Sequence, residues 1–594
     1  MSQVIVGIDL GTTNSEIAVV RNGRVEVIPV GPNARILPSM VGIGDDGTLL
    51  VGQAARNQYA LHPERTVRSV KRRMGEDTRI EMAGKGYAPQ EISAMILARL
   101  KALAQEHLGQ AVSQAVITVP AFFSDAQRQA TREAGQIAGL EVLRIINEPT
   151  AAALAYERPE GRRKALVYDL GGGTFDVSVV NLEGDVVEVL ASHGNNHLGG
   201  DDFDQLLVNH ALAELQGKQG VDARSHPVAL ARLQRAAEAA KIALSDQPFA
   251  SINEEFLLEH QGLPVHLALE VSREDYEAMI APLIEQTLDA VHVALSGAKL
   301  SVGEIDEVLL VGGATRTPLV SRRLEGALGL QPRAEVDPDL CVAMGAAVQG
   351  ALIAGTTNRT VLVDVTPYTF GTSCIGEIGG EPHDHCFVPL IRKNTPIPVS
   401  KSDVFFTLHD NQSSVDVTVY QGEDPDALNN IEIGRFMIEG LSKVPAGNAI
   451  VMGLALDLNG ILEVTAREKR SGLERRITID KAMARYQPEQ LDQARDRVNA
   501  LMGDLTDFDN PQSAPTTQPA AVAAADTSTE QRRQGVEAQA LIEKAERALA
   551  KANSQDAEDL VDAMEALKDS LGGDPLPTKL AMDVLADLLY YLEA

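Results

Sequence analysis

Ile8-Asp9-Leu10-Gly11-Thr12-Thr13-Asn14 and Tyr168-Asp169-Leu170-Gly171-Gly172-Gly173-Thr174 decide the fold of this chain. Each is an apolar strand that ends on Asp and breaks into a Gly/Thr turn. They stand 160 residues apart. A strand-turn unit repeated at that spacing indicates a duplicated α/β lobe with a cleft between the halves; the alternative is chance likeness of two tight turns. A third unit, residues 307–311 followed by Gly312-Gly313-Ala314-Thr315-Arg316, extends the pattern. Helical periodicity over residues 89–107, 125–138 and 228–244 lies between them. Alternating strands and helices over the first 355 residues predict α/β architecture.

The turns also suggest chemistry. Glycine lets backbone N–H groups approach a phosphate, and the hydroxyls of Thr12, Thr13 and Thr174 add donors. Two carboxylates facing one cleft, Asp9 and Asp169, suit Mg²⁺, which keeps waters and bridges to phosphate oxygens. There is no Gly-x-x-x-x-Gly-Lys-Ser/Thr loop, so the phosphate site is of another type.

Beyond residue 355 the texture changes. Residues 415–420 and 461–466 alternate with period two, and Asn459-Gly460 supplies a turn, which predicts an all-β module of about 110 residues. Helical periodicity returns over 488–502, 536–552, 557–571 and 578–592. Residues 509–530 hold three prolines and no Lys or Arg, the composition of a disordered linker.

The length of 594 residues gives a prior of about four domains. Lys plus Arg total 53 against 83 Asp plus Glu, a formal charge of −30, which argues against nonspecific binding to nucleic acid or anionic lipid. With no Trp, a stacking platform for single strands is poorly supplied. Three cysteines cannot form a disulfide framework, so a reducing cytoplasm is expected. No basic segment precedes the first strand and no uncharged apolar run reaches about 18 residues, so neither a secretory signal nor a membrane span is expected. Cys374, His383, His385 and Cys386 fall within 13 residues, but their spacing matches no common zinc site and the segment reads as a loop insertion.

Residues 8–15, 116–130, 144–156, 167–177, 198–204 and 311–318, with Asp410-Asn411-Gln412-Ser413 in the β module, closely resemble the DnaK-type heat-shock chaperones of the seventy-kilodalton class. The resemblance runs in order over about residues 4–480. Val419-Tyr420-Gln421-Gly422-Glu423, Asn429-Asn430-Ile431 and the short helical tail look closest to the HscC-like branch. The resemblance implies an actin-like ATPase domain (1–355), a linker (356–366), a β-sandwich that binds extended peptides (367–479) and a helical lid (480–594).

It also implies roles. Gly11, Thr12, Thr13 and Asn14 would hold phosphates with Gly171, Gly172, Gly173, Gly199, Gly200, Gly312, Gly313 and Asp339. Asp9 and Asp169 would organise Mg²⁺. Lys71 would sit near the γ-phosphate; Glu148, Thr174 and Asp176 would complete the hydrolytic set. Glu238, Lys241, Ser245 and Arg316 would face adenine and ribose. Thr372, Ile375, Phe405, Leu408, Val415 and Val417 would line the peptide site, where the family has an apolar residue at Thr372 and alanine at Leu408. Pro120, Arg128, Arg144, Val361, Leu362, Val363 and Asp364 would serve communication between domains and a J-domain co-chaperone.

Bland readings stand beside these: Asn147 and Glu148 could simply cap a helix, Lys71 could belong to a solvated basic face with Arg68, Arg72 and Arg73, and Val417 could be sandwich core. The expected function is an ATP-driven chaperone for unfolded, extended polypeptides, acting as a monomer with ATP/ADP, Mg²⁺ and a nucleotide-exchange factor. The rivals are an actin-fold small-molecule kinase, which leaves the β module unexplained, and an actin-like filament ATPase, against which the peptide module and lid argue. The Asp/Glu-Val-Asp ending of eukaryotic cytosolic members is not expected to operate, since the sequence ends Tyr590-Tyr591-Leu592-Glu593-Ala594.

Overall fold

A computed structural model describes residues 4–156, 161–333, 335–356, 361–478 and 488–503, together with 554–570 and part of 538–549 and 581–589. The expected disordered linker at 509–530, the boundary at 479/480 and Thr360 lie outside the described residues.

The chain divides into two compact units. The first holds residues 1–201, 283–315 and 320–508. Its two six-stranded sheets repeat one arrangement. Strand Ile5–Leu10 pairs antiparallel with Asn14–Arg21 and parallel with Gln114–Val119. Strand Arg162–Leu170 pairs antiparallel with Phe175–Glu183 and parallel with Glu307–Val311. Asp9 stands opposite Glu16, and Asp169 opposite Asp176, at equivalent ends of the two hairpins. Both strands are buried along most of their length, so they read as continuous apolar runs rather than alternating ones.

Helices Glu148–Ala155 and Cys341–Ile353 cross so closely that a Cβ on Gly345 would lie 1.6 Å from the Ala151 carbonyl oxygen. Gly7 meets the second helix in the same way, 2.0 Å from the Ala347 nitrogen. Small residues therefore set the spacing of the lobes.

The β module is a sandwich of two four-stranded sheets, ordered 381–391, 370–378, 414–421, 431–439 and 399–406, 449–456, 462–468, 474–478. Val419, Ile433, Ile438, Leu454 and Val464 fill its core. Between sandwich and lobe runs strand Val361–Val365. It extends the second lobe's sheet by pairing parallel with Val186–Glu188, and it also pairs antiparallel with Pro396–Ile397 of the β module. The expected linker is thus a strand of the sheet. Segment 374–386, expected as a loop insertion, is instead the outer half of a hairpin, Phe370–Ile378 and Glu381–Ile391. Gly379 and Gly380, with φ of 63° and 88°, supply the positive angles that a tight two-residue hairpin turn requires. Helix Pro488–Met502 packs on the first lobe: Ala494 and Val498 are buried in its core, and Arg495 donates to the Gln136 carbonyl at 3.0 Å.

The second unit holds residues 202–282, 316–319 and 509–594. It contains helix Pro227–Leu244 and the hairpin Phe249–His260/Leu263–Ser272. Within its last residues, helix Ser554–Ser570 contributes Leu560 and Leu567 to a small apolar core with Ile542, Leu585 and Leu589. Among the described residues one helix, Arg273–Ala298, is long and apolar enough to cross a membrane; its Ile280, Ile284, Val291 and Leu295 are buried.

The Gly345→Ala variant is expected to lower stability by about 1–3 kcal/mol, since the added methyl meets backbone and not a flexible side chain. A denaturant midpoint equal to the parent's would show that the helices separate without cost.

Candidate active site

In the two Asp-Gly turns of the first unit, the glycines of the second pack against the threonine side chains of the first. A Cβ on Gly172 would lie 1.8 Å from Thr13 Oγ1, and one on Gly173 2.5 Å from Thr12 Cγ2. Gly199 stacks on the same turn, with a Cβ 2.6 Å from the Gly172 carbonyl carbon. The Gly200 and Asp201 amides donate to the Gly171 and Gly172 carbonyls at 2.9 and 2.7 Å. Any larger residue would force these turns apart. Gly11, Thr12, Thr13, Asn14, Gly171–Thr174, Gly199 and Gly200 are therefore gathered into one cradle. A Cβ on Gly313 would lie 2.6 Å from Asp339 Oδ1, and one on Gly312 2.4 Å from the Leu170 carbonyl, which adds the third turn.

Asp201 was missed by the sequence reading. It accepts from Ser69 Oγ at 2.6 Å and Thr13 Oγ1 at 3.3 Å, and Arg68 Nη2 lies 3.3 Å away. It thereby ties the first turn to the loop that carries Lys71. The Leu198–Asp204 stretch held the signal, an acidic residue directly after two glycines.

Lys71 sits on the tight turn Val70–Arg73, which begins from Ser69 at φ 52°. It is buried, 4% exposed, so it does not belong to a solvated face. Its Nζ lies 2.5 Å from Glu148 Oε1 and 5.7 Å from the Phe123 ring centre. Asp176 Oδ1 accepts from the Phe122 amide at 3.1 Å, and Asp9 Oδ1 accepts from Thr118 Oγ1 at 2.8 Å.

Four carboxylates, the buried Glu148, Asp169 and Asp176 and the half-buried Asp9, thus surround one lysine. Burial, then Glu148, push Asp9 up to about 7, against the pull of Lys71. Burial also pushes Asp176 up to about 7. Burial and the neighbouring Glu148, Asp176 and Asp9 raise Asp169 well above the ordinary carboxylate range. Burial would depress Lys71, but Glu148 and Asp9 outweigh it and its amine is held above the usual value. Among the described residues Asp169 Oδ2 is buried with no hydrogen-bond partner. A crowded set of desolvated carboxylates with an orphaned oxygen fits a divalent cation of the Mg²⁺ type.

Asn147 caps helix Glu148–Ala155 by position, yet its side chain makes no cap bond. Its Oδ1 accepts from Arg128 Nη2 at 2.6 Å, and its Nδ2 donates to Asp364 Oδ2 at 2.9 Å. Thr150 Oγ1 donates to the same oxygen at 3.2 Å. Arg128 also donates to the Ala121 carbonyl at 3.1 Å. Pro120 closes the turn beside it, its carbonyl accepting from the Phe123 amide at 3.2 Å. Burial lowers the Arg144 guanidinium, with Asp364 and Asp457 pulling it back up. The sandwich touches this network directly: Asn459 Oδ1 accepts from the Ile145 amide at 3.3 Å, and Tyr368 donates to the Phe122 carbonyl at 2.6 Å.

In the second unit, Glu238, Lys241 and Ser245 share one face of helix Pro227–Leu244. Lys241 Nζ lies 2.9 Å from Asp204 Oδ1, and Arg316 is exposed. In the sandwich, Thr372 and Val417 are buried; Thr372 donates to the Thr418 carbonyl at 2.8 Å. Phe405 and Val415 are partly buried against the core, whereas Ile375 and Leu408 are open, 57% and 58% exposed. Of the residues expected to line the peptide site, those last two are the exposed ones, and Phe405 and Val415 keep part of their surface open. Among the described residues no group of three or more Cys, His, Asp or Glu is close enough to ligate a metal directly, so the carboxylate pair Asp9 and Asp169 suits a Mg²⁺ that keeps most of its waters.

Duplicated lobes with paired carboxylate turns, joined through a shared strand to a β-sandwich and a packed helix, define an actin-like ATPase with an attached β module. A family model described as Hsp70 protein matches residues 5–576. The chain is 47% identical over 486 residues to proteins named chaperone protein DnaK from Thermotoga neapolitana, Thermotoga petrophila and Thermotoga maritima, covering 80% of each chain. It belongs to the Hsp70 family. It is an ATP-dependent chaperone, an ATPase that uses ATP and ADP with Mg²⁺ and acts on unfolded polypeptides with co-chaperones.

Asp9 and Asp176 have folded pKa values near 7, above the 3.8 of an unperturbed Asp. Their contribution to stability is full below that lower value and is lost as pH rises through about 7. The nucleotide-free protein should therefore melt at a higher temperature at pH 6 than at pH 8. Binding of Mg²⁺ with ATP near pH 7 should release protons. Calorimetry in buffers of different ionisation enthalpy checks this; a heat independent of buffer would refute the protonated cluster.

Proposed function

We propose that Lys71, Glu148, Thr174 and Asp176 carry ATP hydrolysis, and that Asn147 and Asp364 report it to the peptide module. One observation supports the coupling. Glu148 and Asn147 are consecutive at the head of one helix; one pairs with Lys71, the other with the linker strand. A change in charge at the phosphate end must therefore shift a residue bonded to Asp364.

In this reading the glycine cradle, with Thr12, Thr13 and Asn14, directs amides and hydroxyls at the phosphates. Gly312, Gly313 and Asp339 border them. Mg²⁺, when bound through Asp9 and Asp169, supplies neutralising charge. Lys71 stabilises charge on the terminal phosphate, while Glu148, Asp176 and Thr174 position the attacking water. Glu238, Lys241, Ser245 and Arg316 are assigned to adenosine. Pairing of Val361, Leu362 and Val363 with the lobe sheet is assigned to the ATP-bound, low-affinity state, and its release to client trapping. Residues 1–355, 356–366, 367–479 and 480–594 are taken as ATPase, linker, peptide module and lid. Clients are assigned to Ile375, Leu408, Phe405 and Val415, with Thr372 and Val417 reached after local opening. Pro120, Arg128, Arg144 and Asp364 are assigned to communication between domains and to the response to a J-domain partner. A nucleotide-exchange factor, a single-copy working form and a cytoplasmic setting complete the reading; three free thiols support the last.

The Thr174→Ala variant should bind ATP yet hydrolyse it about 100-fold more slowly, the scale of losing one preorganised group. Parental turnover would defeat the assignment. The Asp364→Asn variant should still bind ATP and lose ATP-triggered release of a fluorescent peptide. Unaltered release would break the proposed link.

A further inference from the structure

We propose that Cys374 and Cys386 form a reversible disulfide that staples the outer hairpin of the β module and makes client release sensitive to oxidants. The two residues stand directly opposite each other on the antiparallel strands Phe370–Ile378 and Glu381–Ile391. Opposed residues in such a ladder have Cα atoms about 4.5–5.5 Å apart and side chains on the same face, within the range that disulfides span. Both are free thiols, Cys374 half-buried and Cys386 buried. Cys386 Sγ donates to the His383 carbonyl at 3.5 Å. Opposite its far side stands Gly376, on which a Cβ would lie 3.1 Å from that sulfur. The missing side chain at Gly376 is what lets the Cys386 sulfur lie over that strand, one same-face position from Cys374.

The position matters because the ladder slips immediately beyond the pair. Pairing shifts between Cys374 and Gly376, where Asp384 and His385 of the partner strand together face the single residue Ile375, whose side chain is 57% exposed. A covalent clamp at Cys374 fixes the strand at the residue before that bulge. The effect on clients rests on the assignment of Ile375 to the peptide site; the bond itself does not. The oxidant is a peroxide. The Cys374 thiolate attacks one peroxide oxygen, breaking the O–O bond and giving a sulfenic acid and hydroxide. The Cys386 thiolate then attacks that sulfur and expels the second oxygen as hydroxide. The two thiol protons leave with the hydroxides as two waters. Two electrons pass from the thiols to the peroxide, and an external dithiol reverses the step. Burial and Cys386 raise the Cys374 thiol, so the pair suits sustained rather than brief oxidation.

The full-length protein is treated with hydrogen peroxide, denatured and titrated for thiols. The count should fall from three to one, Cys341 being fully buried. Tryptic peptide 360–392, which contains both cysteines, should become lighter by two hydrogens and recover with dithiothreitol. Neither change should occur in the Cys374→Ser or Cys386→Ser variants; the first alters the less buried residue and guards against misfolding of the second. Gain of oxygen without loss of two hydrogens, or an unchanged count, overturns the disulfide. Release of a fluorescent peptide on adding ATP should be slower after oxidation, and the parental rate should return with dithiothreitol. An equal rate with the bond formed overturns the regulatory part and leaves the hydrolytic assignment standing.

Discussion

The buried carboxylate of Asp364 holds the working parts of the first unit together. It lies on the strand between ATPase and sandwich, is 6% exposed, and takes its bonds from Asn147 and Thr150 on one helix. Burial pushes its carboxyl up, and the Val365 amide and Arg128 bring it partly back. A buried carboxylate is tolerated only while such donors stay in place. Losing the helix's position means exposing or protonating Asp364, and losing the strand's position leaves Asn147 and Thr150 without their acceptor. Linker docking and catalytic geometry therefore share one polar arrangement.

The lysine and its four carboxylates are the second constraint. Their mutual repulsion makes the cluster costly when bare and turns a bound cation and an anionic phosphate into the missing partners. The acidic chain can therefore hold a highly charged anion: attraction is local, from Lys71, the cradle amides and a metal, while the formal net charge of −30 is spread over 594 residues and screened by salt.

The two Asp turns were legible because their chemistry is local: strand, carboxylate, glycine and hydroxyl are consecutive, and only repetition had to be noticed. The helix at 488–502 was legible as a helix, but its seat on the first lobe was not. Leu491, Ala494 and Val498 show an apolar face without naming what covers it. Asn459 was read as a turn residue, and its bond to the Ile145 amide, 314 positions away, has no trace in either local sequence. The hairpin at 374–386 was misread because its polar residues hide the alternation; Gly379-Gly380 was the overlooked turn signal. The role of Asp201 is not local: its partners Ser69, Arg68 and Thr13 lie 132, 133 and 188 positions away.

The strand Val361–Val365 belongs to two sheets at once, parallel to one neighbour and antiparallel to the other. Tension applied through the β module, as when a bound polypeptide is pulled, loads the ladder to Val186–Glu188 lengthwise. Rows of hydrogen bonds loaded along the strand resist together and fail together. The same short segment is thus a mechanical fuse: it stays seated under small loads, and past its limit it frees the ATPase from the sandwich in a single step.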